Sequence, residues 1–494
     1  VRRYLMFSDS PDEPLTLLAL AKMRPRQFDF NPRMVEYGGL HVYGTGAVMT
    51  LAHAFGFGHI TGGVSHYADH PEHIAGLYIA GRLIMVLYNV GIAMLLFLFA
   101  SSVGGENAAS RISNPQWVGV AAALMWLLSP PSLAFSHIIN PHLPAAFYGT
   151  LAAWLAWRAA TVASTRCWLG AAAASGAAAA CALNAAMSFL VLPAVAFCTA
   201  HAAEKTLKPE SQQTGGWSSG FILFAKLCAA VARPLGLALL MAAAFYLALN
   251  PYCLANLDVL REELARFRQF RSPLPDVGSV VMFCGGPLPH AIGVVGLGAT
   301  LFGAVTLWQA SAAGRALVSY AVAGLLLSAW LAGSDASEAL SVRFAMFILP
   351  LLCVFVAVAL TGPWPRWSRV GAAALIALAA VSATAVHLAS FTRSPRDDAG
   401  ELINRTLPAG SAVAVPKSPG PYEMPAFDFV RLRLVTDPKA PHEFAVQVED
   451  TKKPATPVGF ELVAGFPDAR VQRPTPLSFS GRFARIYRRT ASHQ

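Results

Sequence analysis

The chain has 494 residues, of which 55% are apolar and only 13% charged, with a formal net charge of +10. A soluble globular protein carries about 25% charged residues, so half that share over this length excludes an ordinary water-soluble globule and points to a bilayer as the second solvent. The positive charge then reads as membrane orientation and not as nucleic-acid binding.

No signal peptide is read near Val1, and the abrupt Val-Arg-Arg start leads to the expectation that a further segment precedes it. Pro14 near a helix start, followed by Leu15, Leu18 and Met23, predicts a short helix with an apolar face that ends before Pro25. Residues 38–57, apolar but interrupted by glycines and histidines, predict a helix lying in the membrane interface. About ten spanning helices are expected from there on, over 75–102, 117–135, 142–158, 168–185, 187–202, 233–249, 289–310, 316–333, 343–361 and 369–390. The fourth and fifth form one Ala-rich stretch that turns near Asn184.

An even number of spans puts both ends on one side, and the charge bias chooses the outside. The inner loops would hold Arg111, Arg158, Arg166, Lys208, Arg233, Arg315 and Arg369, whereas the outer segments mix signs, with Asp335 and Glu338 among them. The outer loop 250–288 predicts an amphipathic helix, with Leu257, Leu260, Leu264 and Phe267 on one face and Asn256 as its N-cap. Cys253 and Cys284 share that loop, where an oxidising compartment permits a disulfide; two free thiols are the equal alternative. After residue 391 the chain turns charged and Pro-rich. A helix from Asp397 to Leu407 and alternating runs at 411–415, 431–435, 443–448 and 482–488 predict a small α/β domain.

Polar residues that could carry chemistry gather on the expected outer face. They are Asp12-Glu13, Glu36-Tyr37, the short loop containing His137 and His142, Asn250-Pro251-Tyr252, and Arg343, with Arg82 near the outer end of the first span. Carboxylates and arginines at a membrane surface suit transfer of a sugar from a lipid phosphate. Arginine stabilises the departing phosphate, and a carboxylate takes the proton of an attacking hydroxyl. Each has a plainer reading: Asp12 as a helix-start acid, Glu36 as a solvated loop acid, Arg343 as a headgroup anchor. His66, His70 and His73 have inviting metal spacing, but Pro71 interrupts any helix that would align them, and the sequence reading sets them aside.

The runs Ser-Pro-Asp12-Glu13-Pro, Phe28-Asp-Phe-Asn-Pro32 and Glu36-Tyr37-Gly-Gly-Leu40-His-Val-Tyr43 resemble the first outer loop of GT-C glycosyltransferases, in particular protein O-mannosyltransferases and aminoarabinose transferases. Tyr78 with Arg82, Ser136-His137 with Asn140-Pro141, Asn250-Pro251-Tyr252, and Arg343-Phe344 with Pro350 are similar to later landmarks, in the same order. The resemblance implies an α-helical polytopic membrane protein with a small C-terminal α/β soluble domain. The expected divisions are an outer-face loop over 1–74, a transmembrane domain over 75–390 and a soluble domain over 391–494.

It further implies Asp12 as catalytic base with Glu13 beside it. Arg343, Arg82, Glu36, Tyr37, Asn250 and Tyr252 would surround a polyprenyl-phosphate sugar donor, with His137 and His142 as metal or phosphate contacts. The other partners would be a hydroxyl acceptor and membrane lipid, at the outer face of a bacterial inner membrane, and no nucleic acid. Where the family has Pro-Asp this chain has Pro141-His142, and where Lys is common it has Leu183-Asn184. The first departure leaves a divalent metal open, and no other cofactor is named. A transporter or lipid-linked-sugar flippase is the rival from another class, although transporters place their polar groups at the midplane.

Overall fold

The computed structural model describes residues 12–62, 66–67, 70–106, 115–207, 217–269, 276–333, 339–362, 365–392, 395–415, 425, 427–428, 431–435, 441–449, 459–466 and 483–490. Of the charges used for orientation, Arg111, Lys208, Asp335 and Glu338 lie outside these residues.

The expected first helix forms as α1, Asp12–Lys22, and ends before Pro25 because proline cannot continue it. Its buried side, however, is Asp12, Glu13, Thr16 and Ala19, while Leu18 faces outward. The helix therefore buries its acids, while Leu17 and Leu20 of its apolar side pack against Met49, Leu77 and Ile139. The interfacial segment is α2, Gly39–Ala54, which leaves Leu51 exposed, as are Phe55 and Phe57 just after it.

The apolar bundle begins with α3, Pro71–Glu106, which packs along α4, Pro115–Leu127. A 58° bend separates α4 from the short α5, Pro130–Ser136. Next come α6, His142–Val162, and α7, Thr165–Ala179. The predicted turn near Asn184 is a 3-10 helix, Leu183–Leu190, leading into α8, Val191–Leu207. The long α9, Trp217–Leu249, crosses α7 so closely that a side-chain carbon on Gly176 would strike the Ala242 carbonyl.

The outer segment holds α10, Leu257–Gln269, and α11, Val277–Gly285. The short α12, Pro287–Ile292, is followed by α13, Val294–Ala310, set at 102° to the preceding helix pair. The bundle closes with α14, Ala312–Ala332, a 3-10 helix Ala339–Ala345, α15, Leu349–Thr361, and α16, Arg366–Thr392. Four stretches among the described residues are helical, long and apolar enough to cross a membrane: Glu72–Gly105, Leu183–Ala202, Val231–Leu249 and Ala312–Ala332. Counting each bent pair as one span raises the number to six. Such helices belong in hydrocarbon, because their exposed leucines and valines have no counterpart on a soluble surface. This is a membrane protein.

Beyond α17, Pro395–Thr406, five strands form one sheet in the order β2-β1-β3-β5-β4. The strands are β1 Ala412–Ala414, β2 Arg433–Val435, β3 Phe444–Glu449, β4 Phe460–Phe466 and β5 Phe483–Arg489. β1 pairs in parallel with β2 and β3, and β5 pairs antiparallel with β3 and β4. Ala399, Ile403 and Leu407 bury one side of the helical segment with Val413, Val446 and Ile486, the core expected of a small α/β domain. β4 was not among the predicted runs, since Phe460-Glu-Leu-Val-Ala-Gly-Phe466 breaks strict alternation at a bulge between Leu462 and Ala464.

Of the two alternatives for the outer loop the structure has the free thiols, with Cys253 buried and Cys284 exposed. Asn256 does not serve α10 with its side chain; its amide exchanges two hydrogen bonds with Asn31, at 3.1 and 2.8 Å. The side chains of Leu264 and Phe267 lie outside the described residues.

What positions the first outer loop is the pair Gly38-Gly39. Gly38 N–H donates to Cys181 O at 2.9 Å, and Leu40 N–H donates to Ala180 O at 3.0 Å. A Cβ on Gly38 would come within 2.0 Å of the Ala180 carbonyl oxygen. Gly38→Ala should therefore lower the melting temperature by several degrees, the usual effect of ~1–3 kcal/mol of steric strain in a packed site. Gly62→Ala, where nothing lies within 4 Å of the added carbon, should leave it unchanged. Thermal unfolding in detergent of both variants is the check.

Candidate functional site

The adjacent acids Asp12 and Glu13 lead to two different environments. Glu13 is fully buried and receives three hydrogen bonds. Arg82 of α3 grips it with Nε on Oε1 at 2.8 Å and Nη2 on Oε2 at 2.7 Å, a two-pronged ion pair. The Ile139 N–H adds a third bond to Oε1 at 2.8 Å. That N–H is aimed by Asn140, whose side-chain nitrogen ties the carbonyls of Phe135 and Ile138 and whose oxygen accepts from His142 N. Arg82 and Glu13 were expected to bind donor phosphate and take part in catalysis, yet each engages the other. Their geometry is that of a structural clamp between α1, α3 and the loop before α6.

Asp12 lies on the other side of the clamp. Tyr37 O–H donates to its Oδ1 at 2.8 Å. Burial raises the Asp12 carboxyl above its ordinary value, reinforced by the nearby Glu13 charge and opposed by the Arg343 guanidinium and the Tyr37 bond. Tyr37 is itself pushed well up by burial and by Asp12, so it stays a hydrogen-bond donor at neutral pH. Arg343 belongs to the 3-10 helix before α15, its guanidinium 5.1 Å over the Phe344 ring, and acts electrostatically on Asp12, Tyr37 and His142. Among the described residues no acid forms an ion pair with it. Asp12, Tyr37, Arg343 and His142 thus share one neighbourhood, assembled from four elements far apart in sequence.

Other expected residues make contacts of their own. Glu36 is exposed on the loop, and its charge acts on the neighbouring Tyr37. The Asn250 side-chain oxygen accepts from Gly39 N–H at 3.1 Å, and the Tyr252 hydroxyl accepts from Phe30 N–H at 3.3 Å. Both hold the first outer loop in place. His137 turns its Nδ1 onto the Leu133 carbonyl at 2.6 Å, within its own helix turn.

One residue was passed over. His41, buried at 2% exposure, places Nε2 3.1 Å from the Thr16 hydroxyl and sits edge-on to Tyr37. Burial takes its pKa down to about 3, so the ring is neutral, and Nδ1 has no hydrogen-bond partner among the described residues. The available signal was its place one helical turn after Tyr37. Three donors close enough to share one metal ion occur, among the described residues, at His70, Glu72 and His73 and not around Asp12.

No family profile matches this sequence, and no curated protein does. Two solved structures superpose on most of it. One is the archaeal oligosaccharyltransferase AglB from Archaeoglobus fulgidus in complex with an inhibitory peptide and a dolichol-phosphate, with 14% identity and a TM-score of 0.44; the match covers 86% of this chain and 61% of that one. The other is the Archaeoglobus fulgidus oligosaccharyltransferase in the apo form, with 15% identity and a TM-score of 0.46, covering 90% and 66%. The chain spans less than two thirds of the length of either structure. A likeness of this degree carries no argument about activity, substrate or partner.

The different roles of the two acids have a measurable consequence. A carboxyl whose folded pKa is raised contributes stability below its unfolded value and loses it as pH rises, so ionised Asp12 weakens the fold at neutral pH. Asp12→Asn should leave the melting temperature at pH 7 equal or higher. Glu13→Gln removes the charge from a buried clamp and should cost about 1.5–3 kcal/mol, as for other charge-assisted bonds. Thermal scans of the two variants side by side distinguish the roles, and equal destabilisation would contradict them.

Proposed function

We propose that the protein is a membrane glycosyltransferase that moves a sugar from a polyprenyl-phosphate donor to a hydroxyl acceptor, with inversion, at the outer face of a bacterial inner membrane. The reading rests on one observation, a buried carboxylate oriented by Tyr37 with the Arg343 cation in electrostatic reach. It is supported by the first-loop motifs that resemble GT-C enzymes. The expected ten crossings and the division at 1–74, 75–390 and 391–494 belong to the same proposal.

Asp12 accepts the proton of the attacking hydroxyl as that oxygen bonds the anomeric carbon. The bond from that carbon to the phosphate oxygen breaks at the same time, and the electron pair leaves with the phosphate. A carboxylate raised by burial is a stronger base than a solvated one, and the Tyr37 bond fixes the direction from which it acts. Arg343 stabilises the charge that grows on the departing phosphate. Glu13 and Arg82 hold α1 so that Asp12 does not drift, and Asn250 and Tyr252 hold the loop that carries Tyr37. One displacement through an oxocarbenium-like state inverts the anomeric centre.

Incubation of the purified protein with labelled polyprenyl-phosphate sugars, followed by mapping of the product, is the direct test; labelled product from no donor would overturn the reading. Asp12→Asn should lower transfer by ~10²–10⁴-fold while donor is still bound. Arg343→Lys keeps a cation but loses the planar fork, and should bind and turn over donor more weakly than the parent.

The acid limb of the rate profile gives a separate test. Asp12 works ionised, so the rate should fall as pH drops through its raised pKa. Arg343→Gln removes a cation that lowers that pKa and should shift the limb to higher pH. A limb that stays in place would remove Asp12 as the titrating base.

A further inference from the structure

Away from the acid centre, the turn between α2 and α3 gathers five imidazoles. His53 lies in the last turn of α2, and His73 in the first turns of α3. His59, His66 and His70 come from the connection. Ring centroids are 4.9 Å apart for His53 and His59, 5.2 Å for His59 and His66, 4.9 Å for His66 and His70, and 5.1 Å for His66 and His73. His66 Nε2 lies 2.9 Å from His73 Nδ1, and His70 Nδ1 lies 3.3 Å from Glu72 Oε1. The ligand atoms of His70, Glu72 and His73 all fall within 4.8 Å of one another.

The sequence reading set these histidines aside because Pro71 would break any helix carrying them. Instead, Pro71 starts α3, and the chain before it folds back onto the first turns of that helix. His70 N–H donates to His66 O at 2.8 Å, and His73 N–H donates to His70 O at 3.1 Å. The Tyr67 hydroxyl donates to His59 O at 2.9 Å and accepts from Thr61 N–H at 3.2 Å. Gly58 lies directly on the α3 backbone, where an added Cβ would be 2.9 Å from the His73 carbonyl oxygen. The histidines are thus presented by a tied backbone.

We propose that His66, His70, Glu72 and His73 bind a divalent transition-metal ion of the zinc class, with His59 beside them. Imidazole nitrogen with one carboxylate is the donor set that zinc and its neighbours favour over magnesium or calcium. Tetrahedral ligands at about 2.0–2.1 Å from a zinc ion stand about 3.3 Å apart, and two of the ligand pairs, His66 with His73 at 2.9 Å and His70 with Glu72 at 3.3 Å, already have that spacing to within a few tenths of an ångström. Bound there, the ion would clip the connection that follows α2 to the first turn of α3, the helix that carries Arg82.

The test uses the full chain purified without an oligohistidine tag and stripped with chelator. Titration with Zn²⁺ against a chromophoric chelator should give one equivalent of tight binding. Co²⁺ alone should give the intense visible bands of a tetrahedral ion. The double variant His66→Ala, His73→Ala should weaken Zn²⁺ binding by more than the ~10–100-fold typical of losing an outer-shell partner, whereas His201→Ala should bind like the parent. Zn²⁺ should raise the parent's melting temperature and not the double variant's. Equal affinity in parent and double variant would overturn the proposal. Absence of tetrahedral Co²⁺ bands in the parent would overturn it without reference to any variant.

Discussion

The Glu13–Arg82 clamp is the constraint on which the outer half of the structure depends. A carboxylate with no solvent exposure is tolerable only if its charge and lone pairs are satisfied, because the desolvation penalty is several kcal/mol per ion. Arg82 supplies two short bonds and the Ile139 N–H a third. Removing any member would leave a charge stranded, so three elements must meet in one arrangement. That requirement orients α1, and with it the acid one residue earlier. Asp12 then faces Tyr37 because Glu13 faces Arg82.

The second constraint is backbone proximity. The first outer loop reaches Tyr37 through Gly38-Gly39, which leaves no room for a side chain between α2 and the carbonyls at 180 and 249. Further along, Asn31 pairs with Asn256, and the Tyr252 hydroxyl accepts from Phe30 N–H, so the loop is stitched to the segment after α9 at several points. Residues that sequence pattern placed around a phosphate, Asn250 and Tyr252, turn out to carry this stitching. They shape the site from behind.

Much of this was legible in the sequence, and what was not has identifiable causes. Pro14 and Pro25 and the Asn140-Pro141 loop are local signals that fell on the expected elements, and the apolar runs fell on helices, although those at 117–135 and 289–310 are broken by bends of 58° and 102°. The clamp pairs residues 69 apart, and no periodicity announces such a pairing. Leucine spacing marks an apolar face on α1 but does not reveal that Asp12 and Glu13 are buried, since their partners lie far along the chain. The amide pair of Asn31 and Asn256 and the separation of Cys253 from Cys284 depend on how the outer segments fold over one another. His41 was hidden by the stronger signal of Tyr37 beside it. β4 was missed because a bulge interrupts its alternation.

The Tyr37 backbone also forms a lone antiparallel bridge with Ala182, at the point where α7 gives way to the 3-10 turn that leads into α8. One residue is therefore a strand partner to the helical bundle through its main chain and a proton donor to Asp12 through its side chain. A 3-10 turn has poorer hydrogen-bond geometry than an α-helix and yields more readily to strain. Any rearrangement of the bundle that shears this turn moves the Tyr37 hydroxyl relative to Asp12, and with it the basicity of the carboxylate. The bridge thus ties the geometry of the Tyr37–Asp12 hydrogen bond to the backbone of that turn.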